Sequence, residues 1–218
     1  YVGYFASKSC TYFNMGADEY ANDILTDSGM GFGQLIRDGE YGYFVEYVNG
    51  LAEMIVGSGM IPMAFNDGIY YDENTEYGGF NENIVIAYWS SGWDGYNVAS
   101  ASYLANRGHK LINTHGDFYY ILGVNDQWDT KGIEKAQEWS NTSFMGSTID
   151  NPAGGMFCIW CDYPDAEDED KIYENVVGSG ILSAMAEAMG ATAEIPEDVT
   201  VTDPNNTGVS VTAPGLTG

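Results

Sequence analysis

The sequence predicts an α/β fold in which parallel strands alternate with helices, as in the C-terminal portion of a (β/α)8 TIM barrel. Strand and helix patterns alternate about four times after an opening strand, and this order demands a parallel sheet because helical crossovers connect parallel strands. The strands are short and almost wholly apolar, and polar or aromatic residues follow them. The strands of a (β/α)8 barrel are apolar in the same way, and the residues that carry out the chemistry lie at their C-terminal ends.

Only about five strands can be counted in 218 residues, whereas a complete eight-stranded barrel needs about 250 residues. We therefore expect a piece of a longer protein, which also fits a start at Tyr1, inside sequence that already reads as folded. A Rossmann-type sheet is the rival architecture. It is disfavoured because no G-x-G-x-x-G loop follows a strand, and the glycine-rich stretch at 29–33 has the wrong spacing.

The first predicted elements are a strand, a helix and a second strand. The β-rich residues 11–15 form the opening strand. Apolar residues then recur at helical spacing over 41–56, and the run GSG at 57–59 ends that helix. A short buried strand follows at Ile61–Phe65, and its exit is the turn-forming sequence NDG at 66–68.

Strand and helix patterns continue to alternate along the rest of the chain. In order, they are a strand at 84–89, a helix at 97–106, a strand at 110–113, a polar helix at 133–139, a strand at 155–160 and a helix at 170–189. The acidic run at 165–170 suits the start of the last helix, since carboxylates stabilise the positive end of the helix dipole.

Composition divides the chain into two parts. Residues 1–190 carry the alternating pattern and form the partial barrel, which is the expected catalytic domain. Residues 191–218 hold no aromatic residue, Lys or Arg and are rich in Thr, Pro, Gly and Asn. This is the composition of a linker, here with a short strand at Val199–Thr202, and we expect it to lead to a further module.

The chain is strongly acidic, with 32 Asp and Glu against 7 Lys and Arg and a formal net charge of −25. Nucleic acid is excluded as a ligand, because affinity for phosphate backbones rests on Lys and Arg. No apolar run approaches the roughly 20 residues that cross a bilayer, so membrane insertion is not expected. The hydrophobic content of 44% is enough for a folded core.

Neither a metal nor a cofactor is expected. Cys158 and Cys161 form a C-x-x-C pattern, but residues three apart on a strand point to opposite faces. No second cysteine pair or nearby histidine completes a zinc site. The acidic run at 165–170 is interpreted as a solvated helix start rather than a calcium site.

Carboxylates or aromatic side chains follow every proposed strand. In chain order they are Asp18 and Glu19, Asn66 and Asp67, Trp89 and Trp93, Asp117 and Tyr120, and Trp160 and Asp162. Taken singly, such residues are most often turn formers, solvated acids or core aromatics. Together they suit a sugar, because the apolar face of a pyranose stacks on an indole while its hydroxyls donate to carboxylates.

The adjacency of Asp18 and Glu19 constrains the mechanism. A retaining glycosidase usually places two carboxyl groups about 5–5.5 Å apart, as acid and nucleophile. Neighbouring side chains in an extended chain point apart, so these two residues do not suit that pair of roles. If Glu19 is the acid, Asp18 must serve another purpose, such as orienting part of the substrate.

Several segments together resemble glycoside hydrolase family 20, the β-N-acetylhexosaminidases and lacto-N-biosidases. The segment FNMGADEY at 13–20 resembles the family's H/N-x-G-x-D-E signature. The likeness covers roughly residues 5–190. It continues in the family's order through PMAFNDGIYY at 62–71, YWS at 88–90, NTHGDFYYILG at 113–123 and IWCD at 159–162.

The resemblance implies substrate-assisted catalysis, in which the carbonyl oxygen of the sugar's own 2-acetamido group attacks the anomeric carbon. Glu19 would then protonate the leaving oxygen and later deprotonate the attacking water. Asp18 would accept the acetamido N–H and stabilise the developing positive charge. Tyr120, or its neighbour Tyr119, would donate to the acetamido oxygen. The family uses no cofactor for this chemistry.

The resemblance also implies how the sugar is held. Trp89 and Trp160 would wall the acetamido pocket and the sugar face, and Asp162 would bind ring hydroxyls. Asp67 and Trp93 complete the candidate substrate-binding set because they follow predicted strands. One departure is Phe65, which stands where many relatives have Trp and softens one wall of the pocket.

The expected partner is therefore an oligosaccharide or glycoconjugate, and the expected location is secreted or at the bacterial cell surface. Two alternatives stay open. A lacto-N-biosidase would use the same chemistry with a deeper pocket that accepts a disaccharide. A non-catalytic carbohydrate-binding barrel would keep the Trp residues without needing Asp18 and Glu19 together.

Overall fold

The computed structural model describes residues 1–20, 31–114 and 140–156, together with Glu187, Gly190 and the backbone of two strands near the C-terminus. The α-helices in these residues are α1 (Val2–Ser7), α2 (Phe32–Arg37), α3 (Tyr41–Gly57) and α4 (Ala101–Asn106), and a 3-10 helix covers Tyr71–Glu73. The strands are β1 (Tyr12–Asn14), β2 (Ile61–Phe65), β3 (Val85–Tyr88), β4 (Leu111–Asn113), β5 (Ser143–Phe144), β6 (Ser147–Thr148), β7 (Gly154–Gly155), β8 (Val199–Thr202) and β9 (Ser210–Ala213).

Five strands form one parallel sheet in the order β1-β2-β3-β4-β7. Every strand is parallel to its neighbour, and neighbours in space follow one another in the sequence, apart from the small β5–β6 hairpin inserted before β7. Consecutive parallel strands are the arrangement of a (β/α)8 barrel. In the described residues, α2 and α3 connect β1 to β2 and α4 connects β3 to β4, whereas the β2–β3 connection has only a short 3-10 helix at Tyr71–Glu73. The prediction of a partial barrel with five strands is confirmed.

The core lies between the sheet and the helices. Helix α3 turns one apolar face inwards and buries Tyr41, Val45, Val48, Ala52 and Ile55, which recur at the helical spacing seen in the sequence. It packs on β2, whose alternate residues Pro62 and Ala64 are buried. This layering leaves the residues after each strand at one edge of the sheet.

The bounds of helix α4 and strand β3 differ from the predicted ones. Helix α4 begins at Ala101 rather than at 97, because Ser100 is extended (φ −66°, ψ 152°) and its hydroxyl accepts from the Tyr103 N–H at 3.2 Å. Asn97 instead donates its N–H to the Tyr71 hydroxyl at 2.9 Å, which holds it in a loop. Strand β3 ends at Tyr88, so Trp89 lies just beyond the strand and not within it.

Some elements have no strong sequence signal. Helices α1 and α2 have only six residues each, too few for an apolar period to show, and the hairpin strands β5 and β6 have two each. In the C-terminal segment, β8 matches the short strand that was predicted, and it pairs antiparallel with β9, which was not predicted. The predicted elements at 133–139, 157–160 and most of 170–189 lie outside the described residues. Among the described helices, none has both the length and the apolar character to span a membrane.

Candidate active site

The loop after β1 carries Asp18 and Glu19 and is not extended. Gly16, Ala17 and Glu19 have φ of +79°, +71° and +47°, in the left-handed region that non-glycine residues rarely adopt. The Gly16 carbonyl accepts from the Phe65 N–H at 2.8 Å, so the loop is anchored to the end of β2 before it turns. The expectation of an extended chain, in which the two neighbouring side chains point apart, is therefore wrong for the backbone at Glu19.

Asn66 joins the ends of β2 and β3. Its buried side-chain amide donates to the Ser90 carbonyl at 2.7 Å, and its Oδ1 accepts from the Trp89 N–H at 2.9 Å. The Asn66 side chain thereby makes hydrogen bonds between the two strand ends just beyond the point where the backbone pairing of β2 and β3 stops. Trp89 is consequently held close to the exit of β2, although 23 residues of sequence separate it from Asn66.

Asp67 lies at the centre of the described part of the site. Its side chain has 0% exposure. Oδ2 accepts from the Glu19 backbone N–H at 3.1 Å and from the Tyr96 hydroxyl at 3.2 Å, and Oδ1 accepts from the Trp89 indole N–H. Three donors from two loops, which follow β1 and β3, therefore bind one carboxylate.

The environment of Asp67 raises its pKa to about 6, from an ordinary 3.8. Burial is the main cause, because it penalises the charged form. The hydrogen bonds from Trp89 and Glu19 lower the pKa and partly offset burial, while the negative charge of Asp18 raises it. Asp67 is thus ionised at neutral pH but titrates well above an ordinary aspartate.

This shift predicts how stability depends on pH. Because the folded pKa of Asp67 lies above the unfolded one, the folded state holds more protons between pH 3.8 and about 6. The stability that this group contributes is therefore complete below the lower value and is lost as pH rises through the upper one. Relative to Asp67→Asn, we expect the wild type to lose about 2 kcal/mol of unfolding free energy between pH 4 and pH 7. Denaturant titrations of both proteins from pH 4 to pH 7 measure this, and parallel pH profiles would contradict it.

An aromatic wall stands beside Asp67. The rings of Trp93 and Tyr96 are stacked, with centroids 4.4 Å apart and planes 18° apart. Trp89 and Trp93 are 6.2 Å apart, and both are half-buried. Tyr96 is the member of this group that sequence reasoning missed. The sequence GWDGY at 92–96 could have indicated it, because the two glycines favour a tight turn, and this turn places Tyr96 against Trp93.

An open pocket adjoins this wall on the side of Trp93. It is lined by Asp72, Glu73, Ser91, Trp93 and Asn97, among others. The turn that brings the two acids to its rim has left-handed backbone, with φ of +56° at Asp72 and +52° at Glu73. It is fastened by the Asp72 N–H, which donates to the Asn97 carbonyl at 2.7 Å.

The structure brings five of the eight candidate residues to the same edge of the sheet. Asp18 and Glu19 are exposed, Trp89 and Trp93 are half-buried, and Asp67 is buried beneath them. Tyr119, Tyr120, Trp160 and Asp162 lie outside the described residues. In the part of the chain that is described, no group of three or more His, Cys, Asp or Glu side chains is arranged to hold a metal ion.

Solved structures of other proteins share this fold. The chain is 40% identical to the pneumococcal exo-β-D-N-acetylglucosaminidase StrH, which contains tandem GH20 catalytic modules, with a TM-score of 0.73. The match covers 86% of this chain and 45% of the StrH chain, so the chain spans less than half of that protein.

Two more distant structures agree in fold. Dispersin B is 18% identical with a TM-score of 0.58, over 86% of this chain and 58% of its own. A glycoside hydrolase family 20 β-N-acetylglucosaminidase is also 18% identical, with a TM-score of 0.57, over 88% of this chain and 36% of its own. No sequence-family profile matches the chain. The sequence motifs, the five parallel strands and the 40% identity to StrH agree, and the chain belongs to glycoside hydrolase family 20, as a part of its catalytic barrel.

Proposed function

We propose that the protein is a retaining exo-β-N-acetylhexosaminidase, which removes terminal β-linked GlcNAc or GalNAc from glycans by substrate-assisted catalysis. The observation that carries the proposal is the position of the Asp18–Glu19 pair. These exposed carboxylates follow β1, and the Glu19 backbone is bonded to the carboxylate that also holds Trp89. The exo-β-D-N-acetylglucosaminidase activity named for StrH supports the same reaction class.

In the proposed first step the 2-acetamido carbonyl oxygen attacks the anomeric carbon. The bond from that carbon to the leaving oxygen breaks, and Glu19 gives its proton to the leaving oxygen. Asp18 accepts the acetamido N–H and stabilises the positive charge of the oxazolinium ring that forms. In the second step Glu19 takes a proton from water, which attacks the same carbon and reopens the ring. Two displacements at one carbon retain its configuration.

The remaining candidate residues hold the sugar in this proposal. Trp89 and Trp160 wall the acetamido pocket, Asp162 accepts from ring hydroxyls, and Tyr120 or Tyr119 donates to the acetamido oxygen. Trp93 extends the aromatic surface next to Trp89, consistent with their 6.2 Å separation. The substrate is an oligosaccharide or glycoconjugate. The expected location of the protein is outside the cell or on a bacterial surface, which fits its net charge of −25 and its Thr- and Pro-rich C-terminal segment.

A matched pair of substrates tests the proposal. The full-length protein should hydrolyse 4-nitrophenyl β-GlcNAc at least about 1000-fold faster than 4-nitrophenyl β-glucoside, which lacks the internal nucleophile. A thiazoline mimic of the oxazolinium ring should bind at least about 100-fold tighter than GlcNAc, because it resembles the transition state. Equal rates on the two glycosides would contradict the mechanism.

The same assays separate the alternatives. A lacto-N-biosidase would release Gal-β1,3-GlcNAc from a suitable glycan rather than single GlcNAc residues. A non-catalytic carbohydrate-binding barrel would hydrolyse neither nitrophenyl glycoside and would bind the thiazoline no better than GlcNAc.

A further inference from the structure

The buried carboxylate of Asp67 links Glu19, the proposed general acid, to Trp89, which is proposed to hold the sugar. Asp67 has no exposed surface, yet its oxygens accept from the backbone of Glu19, the indole of Trp89 and the hydroxyl of Tyr96. These donors come from two different loops, which follow β1 and β3, while Asp67 itself follows β2. The carboxylate therefore lies at the junction of three neighbouring strand ends.

Burial of a carboxylate is unfavourable unless donors replace its water. The ends of β2 and β3 are already joined by Asn66, which bonds both Trp89 and Ser90. The turn of Tyr96 is likewise closed by backbone bonds, since Trp93 and Tyr96 exchange N–H···O contacts of 3.2 Å and 2.8 Å. These two connections are made by neutral groups, namely the Asn66 side chain and the backbone of Trp93 and Tyr96. They therefore do not require a charged side chain at Asp67.

The hydrogen bond between Glu19 and Asp67 differs from those made by neutral groups. It starts from the backbone N–H of the proposed acid, at a residue whose φ is +47°, and it spans 48 residues of sequence. A left-handed backbone at a glutamate is unfavourable and persists where the surroundings hold it. A charged acceptor forms a stronger hydrogen bond than a neutral one and so is suited to hold this conformation.

We propose that Asp67 is a positioning residue. It fixes the backbone of Glu19 and the indole of Trp89 relative to each other, so that the proton donor is correctly placed against the sugar that Trp89 holds. It does not contact the substrate itself. This role replaces the direct substrate contact expected for Asp67, and it rests on the proposed function, in which Glu19 protonates the leaving oxygen.

Positioning of an acid has a kinetic signature that depends on the leaving group. A general acid contributes about 10²–10⁴-fold when the leaving oxygen is basic, as in a disaccharide. It contributes little when the leaving group is an acidic phenol that departs as an anion. A residue that only supports the fold would lower both rates equally.

The test compares Asp67→Asn with the wild type on chitobiose and on 2,4-dinitrophenyl β-GlcNAc, in the full-length protein. We expect kcat/KM to fall about 100-fold on chitobiose and less than about 10-fold on the dinitrophenyl glycoside. Asp94→Asn is the matched control, because Asp94 is an exposed aspartate on the Trp93–Tyr96 turn, and both rates should be unchanged. Equal losses on the two substrates, or no loss on either, would overturn the proposal.

A second measurement does not depend on whether Asp67→Asn folds. In the wild type, the amide hydrogen of Glu19 should exchange at least about 10-fold more slowly than in an open loop, since it is donated to a buried carboxylate. Exchange at the rate of an open loop would overturn the positioning role while leaving the proposed function intact. A wild type that cleaves neither substrate would instead overturn the proposed function, and this inference with it.

Discussion

Replacing Glu19 with glutamine should lower kcat/KM on chitobiose by about 1000-fold or more. The variant keeps the size of the side chain and the backbone N–H that Asp67 accepts at 3.1 Å, so the loop after β1 should keep its conformation. It removes the proton that the leaving oxygen needs and the base that activates water. Loss of a general acid and base is worth about 10²–10⁴-fold, and both steps of the proposed reaction use Glu19.

The leaving group and an added nucleophile make this prediction specific. On 2,4-dinitrophenyl β-GlcNAc the first step needs no acid, so the defect should move to the second step. Azide, which needs no general base, should then restore turnover and give the β-glycosyl azide. Glu46→Gln is the matched control, because Glu46 is an exposed glutamate on helix α3, and its rates should stay within about threefold. Near-normal turnover of Glu19→Gln on chitobiose would remove Glu19 from the mechanism.

Replacing Gly92 with alanine should destabilise the barrel and disrupt the aromatic wall. A Cβ at this position would lie 2.2 Å from the Tyr96 carbonyl oxygen, and Gly92 has a φ of +82°. A backbone atom cannot move aside as a side chain can, so the turn must open. Left-handed strain of about 1–2 kcal/mol and overpacking of about 1–3 kcal/mol together predict a loss of about 2–5 kcal/mol.

Gly95 provides the control on the same turn. Its φ is +81°, almost the same as at Gly92, but a Cβ added there would have no other atom within 4 Å. Gly95→Ala should therefore cost only the strain of about 1–2 kcal/mol. Denaturant unfolding of the two variants measures the difference, and near-ultraviolet circular dichroism should show loss of the Trp93–Tyr96 stack in Gly92→Ala alone. Equal destabilisation by both substitutions would contradict the steric explanation.

The amount of the fold that could be predicted differs between elements. The apolar period predicts helix α3 to within one residue, because seventeen residues with one apolar face give a pattern that few other structures produce. The sequence pattern predicts the start of helix α4 four residues too early, because Ser100 caps the helix and Asn97 donates its N–H to the Tyr71 hydroxyl instead of joining the first turn. That bond joins residues 26 positions apart, and no local pattern reports it.

The candidate site shows the same division. Asp18, Glu19, Trp89 and Trp93 could be selected because they follow short apolar strands, and parallel strands end at one edge of the sheet. Tyr96 could not be selected in that way, because it follows a turn and not a strand. Its place in the site depends on the stack with Trp93 and on the hydroxyl that it donates to Asp67.

Local patterns in the chain were enough to establish the parallel order of the strands, the family and the edge of the sheet where the carboxylates gather. The strand order and the position of the carboxylates follow from apolar runs, helical periods and the residues next to them, whereas the family follows from the resemblance of several sequence motifs. The folded structure was needed to show that Asp67 is buried, that it holds Glu19 and Trp89 together and that the Glu19 backbone is left-handed. The physical reason is that burial and hydrogen-bond partners are set by contacts between residues 22 to 48 positions apart, which come together only when the chain folds.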